Sequence, residues 1–166
     1  MRTTKARDQA IGEILERHGP EAVYVASTGY VSRAVHAAAG PGHTVFYMQG
    51  SMGLAPSIGL GIALHSERPV VVLNGDASLL MALGSTHTIR DHAPPGFFHY
   101  VLDNGCHESV GGQPSAPLEE GYPGVTEIVE VARAGKPPRV DVTPLENARL
   151  VRAALAGDLD LRGAPA

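Results

Sequence analysis

Residues 70–113 read VVVLNGDASLLMALGSTHTIRDHAPPGFFHYVLDNGCHESVGGQ, and the order of patterns inside this stretch decides the fold. Val70 to Leu73 is a continuous aliphatic run, the composition of a strand buried on both faces. It breaks into Asn74-Gly75-Asp76-Ala77-Ser78, after which Leu79, Leu80, Leu83, Thr86 and Ile89 predict a helix. A second apolar run, Phe97 to Leu102, ends in Asp103-Asn104-Gly105. Both predicted strands thus carry a short polar oxygen ligand to their carboxyl ends, the edge of an open α/β sheet where ligands bind.

Asp76 and Asn104 are far apart in the chain but become neighbours if their strands pair. A carboxylate with a neutral amide is hard-oxygen ligation, suited to Mg²⁺ or Ca²⁺ and poor for zinc. One carboxylate does not neutralise a divalent ion, so the remaining charge is expected from the ligand, as with a diphosphate. Gly75 allows close approach, and Ala77 and Ser78 open a helix whose free N–H groups suit phosphate oxygens. The same residues also read as a plain turn in which Asp76 or Ser78 caps the helix.

Working outward, Thr4 to His18 predicts an amphipathic opening helix stopped by Gly19-Pro20. Ala22 to Ala26 predicts a strand, left through the turn Ser27-Thr28-Gly29-Tyr30 into a helix over Val31 to Ala39. That turn offers hydroxyl and N–H groups to a phosphate, and Arg33, one helical turn on, reads equally as an anion contact or a solvated residue. Thr44 to Met48 predicts a strand running into Gln49-Gly50-Ser51-Met52-Gly53, then a small-residue helix over Leu54 to Leu64 that permits close packing. Beyond Gln113, Pro114 to Pro123 predicts a loop suited to a lid, Val125 to Ala134 a helix, Arg139 to Val142 a strand and Leu145 to Ala156 a closing helix. The expectation is one α/β domain over residues 1–166, doubly wound with a mainly parallel sheet, its core at about 20–156 and its tail mobile.

Composition narrows the function classes. A net charge of −4 gives no footprint for nucleic acid or an anionic membrane. No apolar run approaches 18 residues and no export signal is legible, so a cytoplasmic protein is expected. The single cysteine excludes an intramolecular disulfide and a Cys-ligated iron–sulfur cluster. The eight histidines show no zinc-ligand spacing and are expected mostly at the surface or an interface. His107 is the exception: it directly follows the predicted metal loop and suits a proton donor or anion contact, with Glu108 as its partner or that of a neighbouring subunit. Ser109, Gly112 and Gln113 add hydroxyl, N–H and amide donors for an anionic substrate.

Gly75-Asp76-Ala77-Ser78 with the later Asp103-Asn104-Gly105 resembles the thiamine diphosphate signature of the 2-oxo acid decarboxylases. That signature usually begins Gly-Asp-Gly and ends Asn-Asn, so Ala77 and Asp103 depart from it. The segment Asn104-Gly105-Cys106-His107-Glu108-Ser109-Val110-Gly111-Gly112-Gln113 most resembles phosphonopyruvate decarboxylases, and next the sulfopyruvate decarboxylase beta subunits. The resemblance implies Asp76, Asn104 and the Cys106 carbonyl as Mg²⁺ ligands. It places Met52 beneath the cofactor, with Gly50 and Ser51 beside it, and Thr28, Gly29, Gly75, Ala77 and Ser78 around the diphosphate. It implies conversion of 3-phosphonopyruvate, a small anionic 2-oxo acid, to phosphonoacetaldehyde and CO₂. It also implies a separate pyrimidine-binding subunit, most simply in an α₂β₂ assembly, since 166 residues leave no room for that module. The alternatives are a sulfopyruvate decarboxylase beta subunit, acetolactate-synthase-like carboligation, and a non-catalytic structural or regulatory subunit keeping the fold.

Overall fold

The computed structural model describes residues 4–156. The expected mobile tail, with Asp158 to Leu161, lies outside the described residues. Six strands form one sheet in the order β1-β6-β5-β4-β2-β3. They are β1 (Lys5–Ala6), β2 (Val23–Ala26), β3 (Thr44–Tyr47), β4 (Val70–Gly75), β5 (Phe97–Asp103) and β6 (Glu127–Ala132), and every adjacent pair is parallel. The sheet is doubly wound, as the strand–helix alternation predicts.

Strand alternation assigns each face a layer of helices. Tyr24, Ala26, Val71 and Leu73 turn toward α1 (Arg7–His18) and α2 (Tyr30–Ala38), packing with Ile11, Leu15 and Val35. Val23, Val25, Val70 and Val72 turn to the other face, which α3 (Ala55–Ala63) and α6 (Pro144–Leu155) cover. Because both faces are covered, β2 and the first four residues of β4 are buried throughout, the condition that favours unbroken aliphatic runs. The small-residue pattern of α3 serves the sheet: a Cβ on Gly59 would stand 2.5 Å from Val72 Cγ2. A capping box between Thr143 and Glu146 starts α6. Asn147 then ties that helix to β3, donating to the Val45 carbonyl at 2.8 Å and accepting from the Tyr47 N–H at 3.0 Å.

Two expectations about the carboxyl-terminal third are corrected. Residues 125–134 are not a helix: Glu127–Ala132 is β6, with Tyr100 opposite Glu127 and Asp103 opposite Glu130. Ile128, Val129 and Val131 fit either period over so short a run, and the open edge of β5 supplies the ladder that decides it. Residues 139–142 form no strand; after Pro137-Pro138 the chain runs irregularly to α6, with Asp141 Oδ1 2.8 Å from His36 Nε2. The helix expected after Ser78 is two helices, α4 (Asp76–Met81) and α5 (Ser85–His92), broken at Ala82, whose φ of −134° is not helical. At the amino end, the opening helix begins only at Arg7, because Lys5 and Ala6 pair with β6.

Candidate functional site

The chain steps outward from β2 to β3, then returns to the opposite side of β2 for β4. This reversal leaves a crevice at the carboxyl ends of β2 and β4, the place where doubly wound sheets receive ligands. Thr28 from the first end and Gly75, Asp76, Ala77 and Ser78 from the second line it, joined by Met52, Asn104, Cys106, His107, Glu108 and Ser109. Gly75 lies opposite Leu102, so Asp76 and Asn104 leave neighbouring strand ends together. Gly29 lines a second cleft alongside, whereas Gly50, Ser51, Gly112 and Gln113 line neither.

The capping alternative for Asp76 and Ser78 fails, since α4 carries no side-chain cap. Ser78 is buried, and its hydroxyl lies 2.9 Å from the Ser27 hydroxyl while accepting the Gly53 N–H at 2.9 Å. It therefore ties the turns after β2 and β3 to α4. Gly53 sits at φ 99°, and a Cβ there would meet Ala82 Cβ at 3.0 Å, so this contact requires glycine. Ser51 holds φ 50° in the same turn, an uncommon conformation for a residue with a side chain.

Asp76 is buried and accepts a short hydrogen bond from the Ser115 hydroxyl. Asn104 Oδ1 accepts the Cys106 N–H at 3.1 Å, and Asn104 Nδ2 donates to Glu108 Oε2 at 2.9 Å. Cys106 forms an isolated antiparallel bridge with Pro114. The His107 N–H to Gln113 carbonyl bond (2.8 Å) and the Ser115 N–H to Gly105 carbonyl bond (3.0 Å) flank it. Cys106 and Pro114 are thus a non-hydrogen-bonded pair, which turns the polar backbone atoms of Cys106 outward. Burial pushes the Cys106 thiol above its ordinary value, with Arg133 opposing, which disfavours the thiolate. Gln113 folds back over Gly111, where an added Cβ would meet its Nε2 at 2.7 Å.

Sequence reasoning missed Arg7, Ser115 and His99. Arg7 is 3% exposed and donates to Glu108 Oε2 at 3.1 Å and to the Gly135 carbonyl at 3.2 Å. Glu108 Oε1 accepts the Ala134 N–H at 3.2 Å, so this carboxylate joins α1, the Asn104 loop and the segment after β6. No local pattern announces contacts across such separations; the only cue is a basic residue where an amphipathic helix meets its first turn. His99, expected near the surface, is fully buried beside Asn74, at 3.3 Å between Nε2 and Nδ2. Burial lowers its pKa to about 4, so it sits neutral within the sheet, opposite Val72 of β4.

Residues 24–158 match the family described as "Thiamine pyrophosphate enzyme, C-terminal TPP binding domain". The chain belongs to this family. A phosphonopyruvate decarboxylase from Streptomyces hygroscopicus is 47% identical over 107 residues, 64% of this chain and 26% of that protein. A sulfopyruvate decarboxylase subunit beta from Methanocaldococcus jannaschii is 40% identical over 107 residues, 64% of this chain and 56% of that protein. Its counterpart from Methanothermobacter thermautotrophicus is 46% identical over 90 residues, 54% of this chain and 48% of that protein. The chain therefore covers about a quarter of the first relative and about half of the others.

The donor set fits a thiamine pyrophosphate enzyme. Asp76, the Asn104 amide and the Cys106 carbonyl are all oxygen donors with a single negative charge, the combination that suits Mg²⁺ bound together with a diphosphate. Among the described residues no cluster of three or more His, Cys, Asp or Glu side chains offers a competing site. No described helix is long and apolar enough to cross a membrane.

Proposed function

We propose that this chain is the diphosphate- and Mg²⁺-binding subunit of a thiamine diphosphate-dependent decarboxylase that converts 3-phosphonopyruvate to phosphonoacetaldehyde and CO₂. The observation that carries this reading is the crevice in which Asp76, Asn104 and Cys106 converge from adjacent strand ends and the hairpin beyond β5. Thiamine diphosphate supplies the electron sink that a 2-oxo acid needs to lose CO₂. In this assignment Asp76, Asn104 and the Cys106 carbonyl hold the metal, and Thr28, Gly29, Gly75, Ala77 and Ser78 surround the diphosphate. Met52 supports the cofactor, with Gly50 and Ser51 fixing its turn. His107 lines the crevice and is the proton-handling candidate. Glu108, held by Arg7 and Asn104, positions the metal loop, and Ser109 faces the substrate, with Gly112 and Gln113 shaping the loop behind it.

A pyrimidine-binding partner completes the proposed enzyme, most simply as α₂β₂. Two relatives named as beta subunits support it. So does the surface: Leu54, Met81 and Leu83 are exposed, each next in sequence to Gly53 or Ala82, and Gly53 follows the crevice-lining Met52. A sulfopyruvate decarboxylase beta subunit is the second reading, favoured by the larger share of those relatives that the chain spans.

The test is decarboxylation of both acids with Mg²⁺ and thiamine diphosphate, by the chain alone and co-expressed with the product of the adjacent reading frame. The expected result is turnover by the pair alone, with phosphonopyruvate preferred. Preference for sulfopyruvate would select the second reading. A folded pair that retains the cofactor but turns over neither acid would discard the substrate assignment, and failure to bind cofactor would favour a non-catalytic subunit.

A further inference from the structure

Beside the crevice lies a second, larger cleft, about 370 against 60 Å³, that shares Thr28 and Ser109 with it. Arg33, Gln49 and Arg139 also line it, and none of its lining residues is acidic. Among the described residues the cleft thus sets a half-buried arginine, Arg33, and an exposed one, Arg139, in a lining with no acidic side chain. The Tyr30 ring sharpens the contrast, for it carries two arginines. Arg7, 5.8 Å from the ring centroid, is satisfied by Glu108 and the Gly135 carbonyl. Arg33, 5.4 Å from the same centroid, has its Nη1 buried without a hydrogen-bond partner among the described residues. A buried charged donor left unmatched is costly, and such a group marks a place that a ligand completes.

We propose that Arg33 and Arg139, with Gln49 and Ser109, form a subsite for the tetrahedral oxyanion of the substrate, a phosphonate or sulfonate. The substrate's 2-oxo acid end then points past Ser109 toward the neighbouring crevice. The two clefts share Thr28 and Ser109 as lining residues, so a ligand seated in one borders the other. Arginine suits the task, since its planar fork pairs with two oxyanion oxygens at once. The irregular path of residues 139–142 acquires a purpose here, as it brings Arg139 to the cleft. This inference rests on the decarboxylase reading for the identity of the ligand, not for the subsite.

The test is calorimetric titration of the chain with its co-expressed partner, Mg²⁺ and thiamine diphosphate, using 3-phosphonopropionate, which lacks the reactive keto group. Propionate and inorganic phosphate are titrated in parallel. The expected result is binding of 3-phosphonopropionate, weakened about tenfold or more by Arg33→Met, with Arg33→Lys between the two. Arg139→Met weakens it less, and cofactor retention and melting temperature stay as in the unsubstituted protein. Unchanged affinity in both Met variants would overturn the subsite. Inorganic phosphate binding as tightly as 3-phosphonopropionate would make the cleft a site for free anions and overturn its assignment to the substrate. Loss of cofactor binding in the unsubstituted protein would instead remove the decarboxylase reading, and the phosphonate titration would still decide the subsite.

Discussion

The two walls of the crevice are held by different means. On one side, Asp76 and Asn104 emerge from β4 and β5, whose register is set along six consecutive residue pairs. On the other, residues 105–143 contribute one strand and a short hairpin, and much of the rest is tied down by individual side-chain contacts, among them Ser115 on Asp76, Glu108 on Arg7 and Asn104, and Asp141 beside His36. A ladder spreads its stability over many bonds, none of them decisive. A pinned loop concentrates it in a few, so single substitutions should separate the walls.

If Asp76 is the metal ligand proposed above, its removal should affect binding and spare the fold. Asp76→Ala leaves the β4–β5 register intact, and Mg²⁺-dependent retention of thiamine diphosphate, read by equilibrium dialysis, should fall by more than about a hundredfold. Retention within a few-fold of the unsubstituted protein would remove Asp76 from the metal site. The pinned wall should behave in the opposite way. Arg7→Met leaves the Glu108 carboxylate, 14% exposed, without its cation. The expected loss is about 3–5 kcal/mol in urea unfolding, much of it regained in an Arg7→Met/Glu108→Leu double variant, which buries no unpaired charge. A loss below about 1 kcal/mol would mean that the pin carries little.

The ladder also covers a titrating group. His99 has a folded pKa of about 4 against an ordinary 6.5. Between those values the unfolded chain binds more protons than the folded one, so stability is full above pH 6.5 and falls as pH drops toward 4. The contribution is about 3 kcal/mol. Across that window the stability of the unsubstituted protein, read by chemical denaturation, should fall by about 3 kcal/mol more than that of a His99→Gln variant, and equal falls would place His99 in contact with water.

The same division explains what was legible in the residues themselves. The β4 and β5 runs and their polar ends follow from burial and alternation, which act over a few residues at a time, whereas the closeness of Asp76 and Asn104 depended on the two strands pairing. Glu127–Ala132 was not legible as a strand, because its pairing depends on the open edge of β5 rather than on its own composition. Arg7 reads as one more helix residue until Glu108 is placed against it, and His99 as one more surface histidine until Asn74 covers it. Arg33 stayed undecided for the same reason: the orphaned Nη1 depends on the surroundings, not on the residue.

The smallest expected effect tests where the two walls touch. Ser115 belongs to the pinned wall, yet its hydroxyl donates to Asp76 on the ladder wall. If Asp76 is a metal ligand, this bond orients the carboxylate, and its loss should weaken Mg²⁺-dependent retention of thiamine diphosphate by about tenfold. Ser115→Ala leaves β4, β5 and the Arg7–Glu108 pin untouched, so urea stability without cofactor should fall by about 1–3 kcal/mol, less than on loss of that pin. Ser115→Thr keeps the hydroxyl and should restore most of the retention. Weaker retention in Ser115→Ala with a stability loss smaller than that of Arg7→Met would show that the loop positions the ligand more than it supports the fold. Equal retention in all three proteins would confine the loop to covering the crevice and leave the orientation of Asp76 to the start of α4.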